Sequence, residues 1–187
     1  MAGNHDIDYK NNYFEYPELT RIHGEPKTAS LVKIRNEMRT NAMTVPSELG
    51  GGAHSHLGLL CDAATYAAIP GTTPYIRPTN PGLLVVPAGR TQHQIAQLQT
   101  HHAERLRVFR EANNVERTLL QQLVKALDEE YLSAIRCNIT NRITLPIAQV
   151  ITHLLDTYGE VSPTELQDLR TDLDNFTFDP CKPVDII

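Results

Sequence analysis

The clearest helix signals of the chain lie in TLPIAQVITHLLDTYGEVSPTELQDLRTDLDNFTF, residues 144–178. Its first half predicts a helix. Thr144 can cap that helix, and Pro146 suits a first turn, where the amide hydrogen has no partner within the helix anyway. Apolar residues then recur at the spacing of one buried helical face, which gives Ile147, Val150, Ile151, Leu154 and Leu155. Gly159 stands where a helix commonly ends in a left-handed residue.

A second helix is predicted directly after this glycine. Ser162, Pro163 and Glu165 form the pattern of a capping box with proline at the first helical position. The apolar stripe of this helix consists of Leu166, Leu169, Leu173 and Phe176. The two halves together predict an antiparallel helical hairpin, which specifies a fold but no chemistry.

Outside residues 144–178, the same periodicity of apolar residues predicts further helices. They cover residues 28–43, residues 63–69 with Asp62 as the cap, a long helix from Thr91 that bends at Asn113 and Asn114, and residues 129–136 after Asp128. Residues 44–90 are rich in Gly and Pro and are expected to form an extended or hairpin excursion. The fold class is therefore all-α, a multi-helix bundle with one excursion.

Several of these segments also follow one another in a familiar order. Residues 148–159, 162–178 and 183–185 give a helix ending in Tyr-Gly, a leucine-rich helix and a new helix near Val-Asp. Upstream, LQQLVKALDEEYL (residues 120–132) and TNRIT (residues 140–144) give an apolar helix, an acidic break and a threonine that opens the next helix. This pattern resembles the Gag polyprotein of copia-type LTR retrotransposons, well over residues 90–187 and loosely over 17–90.

The resemblance implies a structural protein, a bundle like the N-terminal lobe of a capsid that self-assembles into virus-like particles packaging the element's RNA. We also expect no enzymatic activity and no cofactor, because the sequence contains no credible enzyme signature. We expect residues 1–16 to be a flexible N-terminal arm and residues 17–180 to be the capsid-like helical domain. Residues 181–187 are expected to begin a truncated following helix or second lobe.

The composition limits the partners. The formal net charge is −5, so the chain as a whole does not suggest nucleic-acid binding. RNA is therefore expected to contact only residues outside this chain or the N-terminal arm around Lys10. The three cysteines form no zinc knuckle, and no signal peptide or membrane span is evident, which predicts a reduced, cytoplasmic protein without membrane contact.

Two groups of residues are candidates for self-association. The first is the stripe of Leu31, Ile34 and Met38, for which core packing is the alternative interpretation. The second lies in the Pro-rich excursion, at Leu83 and Val85. Exposed apolar residues repeated over many copies would suffice for a weak assembly interface.

Few residues are candidates for a catalytic or metal-binding role. His54 and His56 form an H-x-H pair that could hold a metal, but no acidic residue lies at metal-site spacing near them. Residues 104–116 alternate basic and acidic side chains, which predicts a solvated helix face. No catalytic residue is identified. Two alternatives to an assembling Gag remain: a domesticated Gag-like host protein acting as an interaction module, and a small histidine-dependent metalloprotein.

Overall fold

The computed structural model describes residues 7–159, 166–167 and 170–171. Five α-helices lie within residues 7–159: α1 (Tyr9–Asn12), α2 (Thr28–Thr44), α3 (Ala63–Ala67), α4 (Gln92–Ala126) and α5 (Ile147–Tyr158). Short 3₁₀ segments cover Leu49–Gly51, Leu57–Leu59 and Glu129–Ile135. The described residues contain no strand, only one antiparallel bridge between Arg136 and Ile143, so the predicted all-α class is confirmed.

The core lies where α2, the second half of α4 and α5 meet. Its centre consists of Leu31, Ile34, Met38, Val115, Leu119, Leu123, Ile147, Val150 and Leu154. Burying each such side chain stabilises the fold by about 1.5–3 kcal/mol. The side chains of Leu31, Ile34 and Met38 are thus buried inside the molecule, where they cannot contact a second copy. Their prediction as a self-association stripe is therefore wrong.

Residues 7–22 pack against the same core. Tyr9 and Phe14 are buried, and Ile22 donates its amide hydrogen to the Ala126 carbonyl over 2.8 Å. Asn41 on α2 fixes the chain at Tyr16, accepting from its N–H and donating to its carbonyl, each over 2.8 Å. The expectation of a flexible arm is therefore wrong for residues 9–16, because two aromatic side chains anchor them. Residues 1–6 lie outside the described residues.

The predicted helices agree with the observed ones at several termini. The Asp62 carboxylate accepts the Thr65 amide hydrogen over 2.8 Å and so caps α3. The Thr91 hydroxyl accepts from Gln94 over 3.3 Å at the start of α4, which continues as one helix past Asn113 and Asn114. Within the described helices, none combines the length and apolar character needed to cross a bilayer.

The ends of α5 differ from the prediction. The helix begins at Ile147 with Pro146 as its capping residue, so Thr144 is not the cap. Gly159 has φ −89°, so it does not adopt the left-handed conformation, and its carbonyl accepts from the Thr28 hydroxyl over 2.8 Å. Ser162, Pro163 and Glu165, the predicted capping box, lie outside the described residues.

The Gly/Pro-rich excursion is extended where it follows α3, and no hairpin forms in residues 70–91. Two glycines allow close packing beneath it. A side chain at Gly50 would overlap the Tyr66 hydroxyl, and one at Gly58 would overlap the Tyr75 ring. Tyr66 and Tyr75 pack together with their ring centroids 5.5 Å apart, which fixes the point where the excursion leaves the core.

Candidate self-association surface

One part of the molecule stands apart from the core. We call residues 76–110 the projection; it consists of the extended segment 76–91 and the first half of α4. None of its residues is buried, and the first buried residue of α4 is Ala112. Because an α-helix rises about 1.5 Å per residue, this half of α4 extends about 28 Å. The projection is therefore held by the core at one end only.

The projection is fixed at its base by an ion pair inside the molecule. Arg77 contacts the Glu116 carboxylate, which is buried on α4. The other oxygen of this carboxylate, Oε1, accepts the Ile147 amide hydrogen over 3.1 Å. Glu116 thus joins the projection, α4 and the first turn of α5, and it caps α5 in place of Thr144.

Two further contacts define the base. Tyr75 packs beside Gly58, and burial raises the pKa of its phenol far above the ordinary range, so the group stays neutral. Residues 76–79 face Glu104, Arg105 and Val108 across a shallow cavity of about 310 Å³. The extended segment therefore starts beside the core end of the projecting half of α4 and leads to the N-terminus of that helix at Gln92.

Apolar side chains on the extended segment are open to solvent. Leu83 is 92% exposed, Val85 is 79% exposed and Ile76 is 77% exposed. On the helical side, Ile95, Leu98 and Leu106 are half-buried. The predicted candidates Leu83 and Val85 thus lie on the surface, unlike the α2 stripe.

The outer part of the projection, residues 78–103, is poor in charge. Arg90 is the one Asp, Glu, Lys or Arg between Pro78 and Ala103, whereas 21% of the whole chain is charged. The cores of protein–protein interfaces are likewise depleted of charged residues. This surface suits an uncharged partner and offers little to a polyanion.

The histidine pair lies elsewhere and in a different environment. His56 is fully buried, and its Nε2 is 3.3 Å from Oε1 of Glu111 on α4. Burial lowers the pKa of His56, although the Glu111 carboxylate opposes that shift, so the imidazole is neutral near pH 7. His54 is half-buried. No three His, Cys, Asp or Glu side chains group as metal ligands in the described part of the chain.

Glu111 and Glu116 depart from the predicted solvated face. Glu111 accepts from Arg107 over 2.8 Å and also lies beside His56, while Glu116 is buried. The sequence does contain a signal for Glu116. It stands between Val115 and Leu119 at the spacing of the buried face of α4, where a carboxylate needs an internal partner.

Comparison of the chain with family models, curated proteins and solved structures finds no match.

Proposed function

We propose that this protein is a structural subunit of the copia-type Gag class, which self-assembles into particles that package an element's RNA. The proposal is supported by the sequence pattern over residues 90–187 and by an all-helical fold. The observation that carries it is the projection, which presents exposed apolar side chains on the nearly uncharged residues 78–103 and is anchored at its base by an ion pair.

The size of the apolar surface is consistent with a weak contact. Burying Leu83 and Val85 would each contribute about 1.5–3 kcal/mol at most. Association itself costs roughly 4–15 kcal/mol in lost translation and rotation. A single contact of this kind would therefore form poorly, while many identical contacts in a closed shell would support one another.

Residues 78–103 of the projection are a poor RNA-binding surface because Arg90 is their one cation. Lys10, in the N-terminal segment where RNA contact was expected, pairs with Glu18 over 3.1 Å. RNA packaging by this protein is accordingly assigned to residues outside this chain or, more weakly, to the segment around Lys10.

The proposal is tested by mass photometry over a range of protein concentrations, followed by negative-stain microscopy. We expect rings, tubes or shells from the wild-type chain. Leu83→Ser combined with Val85→Ser should raise the concentration for half-assembly by about tenfold or more, because two apolar contacts are lost.

A matched control is available at Ile139. This side chain is 89% exposed and lies in the loop between the 3₁₀ segment and α5, away from the projection. Ile139→Ser should assemble like the wild type. A wild-type chain that stays monomeric under all conditions would contradict the proposal, as would a double variant that assembles normally.

Two other functions remain as alternatives. A domesticated host protein would use the same projection as an interaction module, and a protease, integrase or reverse transcriptase in the same reading frame would favour the element instead. A metalloprotein built on His54 and His56 would contain stoichiometric metal. The inward position of His56 beside Glu111 argues against it. Substoichiometric zinc and a Tm unchanged by EDTA would exclude it.

A further inference from the structure

A cleft beside the first turn of α5 carries an unusual group of arginines. It has a volume of about 500 Å³ and lies between α2, the turn at residues 58–62 and α5. We call it the arginine cleft because Arg35, Arg39 and Arg77 all line it. Arg35 and Arg39 are one helical turn apart on α2, so they share a face.

The two α2 arginines are not neutralised. The Nε atoms of Arg35 and Arg39 are buried, and neither has a hydrogen-bond partner among the described residues. Neither arginine forms an ion pair with a described carboxylate, whereas Arg77 is paired with Glu116. Buried donors without partners and adjacent like charges both destabilise a fold unless an anion binds.

The cleft is lined by one carboxylate, that of Asp62, and it forms no ion pair with either α2 arginine. The Asp62 carboxylate already accepts from the N–H and the hydroxyl of Thr65, over 2.8 and 2.5 Å. Burial raises the pKa of the Cys61 thiol, against the opposing effect of Arg39, so this thiol is uncharged. The cleft therefore combines two guanidinium groups that form no ion pair with a described carboxylate, beside the single carboxylate of Asp62.

The first turn of α5 also lines the cleft, next to the Glu116 carboxylate that accepts the Ile147 amide hydrogen. Pro146, Ala148 and Gln149 line the cleft at the N-terminal end of this 12-residue helix, where the helix dipole is positive. The side chains of Gln149 and Thr152 face the same space and can hydrogen-bond an oxygen ligand. Fork-shaped guanidinium groups suit tetrahedral oxyanions particularly well.

We propose that the arginine cleft binds a phosphate group, free or carried by a small molecule, between Arg35, Arg39 and the first turn of α5. This ligand site shares only Arg77 with the projection, and its existence does not depend on self-assembly. Phosphate binding would tie α2 to α5 and stabilise the folded chain by mass action.

The test is calorimetric titration of the full chain with pyrophosphate, at constant ionic strength set with chloride. The wild type should bind pyrophosphate, and its Tm should rise with pyrophosphate concentration. Arg35→Gln combined with Arg39→Gln should weaken binding by about tenfold or more, since charge-assisted hydrogen bonds to the ligand are lost. Arg90→Gln combined with Arg110→Gln removes the same charge from exposed positions and should bind like the wild type.

Circular dichroism checks that the variants fold. If the glutamine double variant is unfolded, Arg35→Lys combined with Arg39→Lys keeps the charge but loses the guanidinium fork, and it should also bind more weakly. Equal affinity of the wild type and a folded cleft variant would overturn the proposal. Absence of binding to the wild type would overturn it too, as would follow if acidic side chains of residues 160–187 occupied the cleft.

Discussion

Glu116 connects three separate parts of the chain through one carboxylate. Its oxygens bind Arg77 of the projection and the Ile147 N–H at the start of α5. The Ile147 amide hydrogen depends on this carboxylate, because it has no acceptor within its own helix. Arg77 depends on the same carboxylate as its ion-pair partner. A single residue thus fixes the projection and the helix that completes the core.

We expect Glu116→Ala to reduce the free energy of unfolding by about 2–3 kcal/mol, because a buried amide hydrogen and a half-exposed arginine both lose a charged acceptor. Glu116→Gln should cost less, since its amide oxygen can still accept from Ile147. Urea denaturation measures both changes. Glu15→Ala, at an exposed glutamate, is the control and should stay within about 0.5 kcal/mol of the wild type. Equal stability of Glu116→Ala and the control would exclude this role.

His56 makes stability depend on pH. Burial holds the pKa of His56 below its ordinary value, so the folded state keeps the ring neutral while the unfolded chain takes up a proton. The contribution of His56 to the free energy of unfolding is complete above about pH 6.5. It decreases as the pH falls below that value, by up to about 1.4 kcal/mol per pH unit. We expect the free energy of unfolding of His56→Leu to decrease less steeply between pH 6.5 and 5.5 than that of the wild type.

The measurement is urea unfolding at half-unit pH steps. The window stays above pH 5.5 because the carboxylates with lowered pKa, such as Asp62, lose their stabilising effect only at lower pH. His93→Gln, at an exposed position on the projection, should keep the wild-type slope. A slope in His56→Leu as steep as in the wild type would assign the pH dependence to other groups.

At the scale of helices, local periodicity is sufficient to predict much of the fold. α2, α4 and α5 each repeat apolar residues with the helical period, and the caps of Asp62 and Thr91 act on residues three positions away. The cap of α5 could not be found in this way, because Glu116 is 31 residues from Ile147. The burial of Tyr9 could not be predicted either, since a one-turn helix is too short for its apolar residues to show the helical period.

The α5 stripe gives a direct test of the core at this scale. Leu154 is 1% exposed and shares a small internal gap with Leu31, Ile34 and Leu123. Leu154→Ala should reduce the free energy of unfolding by about 2–5 kcal/mol, through lost burial and a new cavity. Leu83→Ala, on the exposed projection, should change it by less than about 0.5 kcal/mol. Thermal and urea unfolding of both variants provide the comparison.

For the whole molecule, the net charge of the chain should oppose assembly. Residues 160–187 contain seven acidic and two basic residues, so they account for the full net charge of −5, and residues 1–159 are neutral overall. Copies that approach through residues 78–103, the nearly uncharged part of the projection, meet little local repulsion, but the net charges of the chains still repel one another. Salt screens that repulsion and leaves apolar contacts intact.

We therefore expect the assembled fraction to rise when NaCl is increased from about 0.05 to about 0.5 M, since the Debye length falls from above 10 Å to well below it. Light scattering at fixed protein concentration measures this change. The double variant Leu83→Ser/Val85→Ser should remain unassembled at both concentrations, which separates apolar association from non-specific salting-out. Assembly that disappears with salt would show that ion pairs hold the copies together, and the seam would then have to be sought among the charged residues of α4 beyond Ala103 instead of on the extended segment.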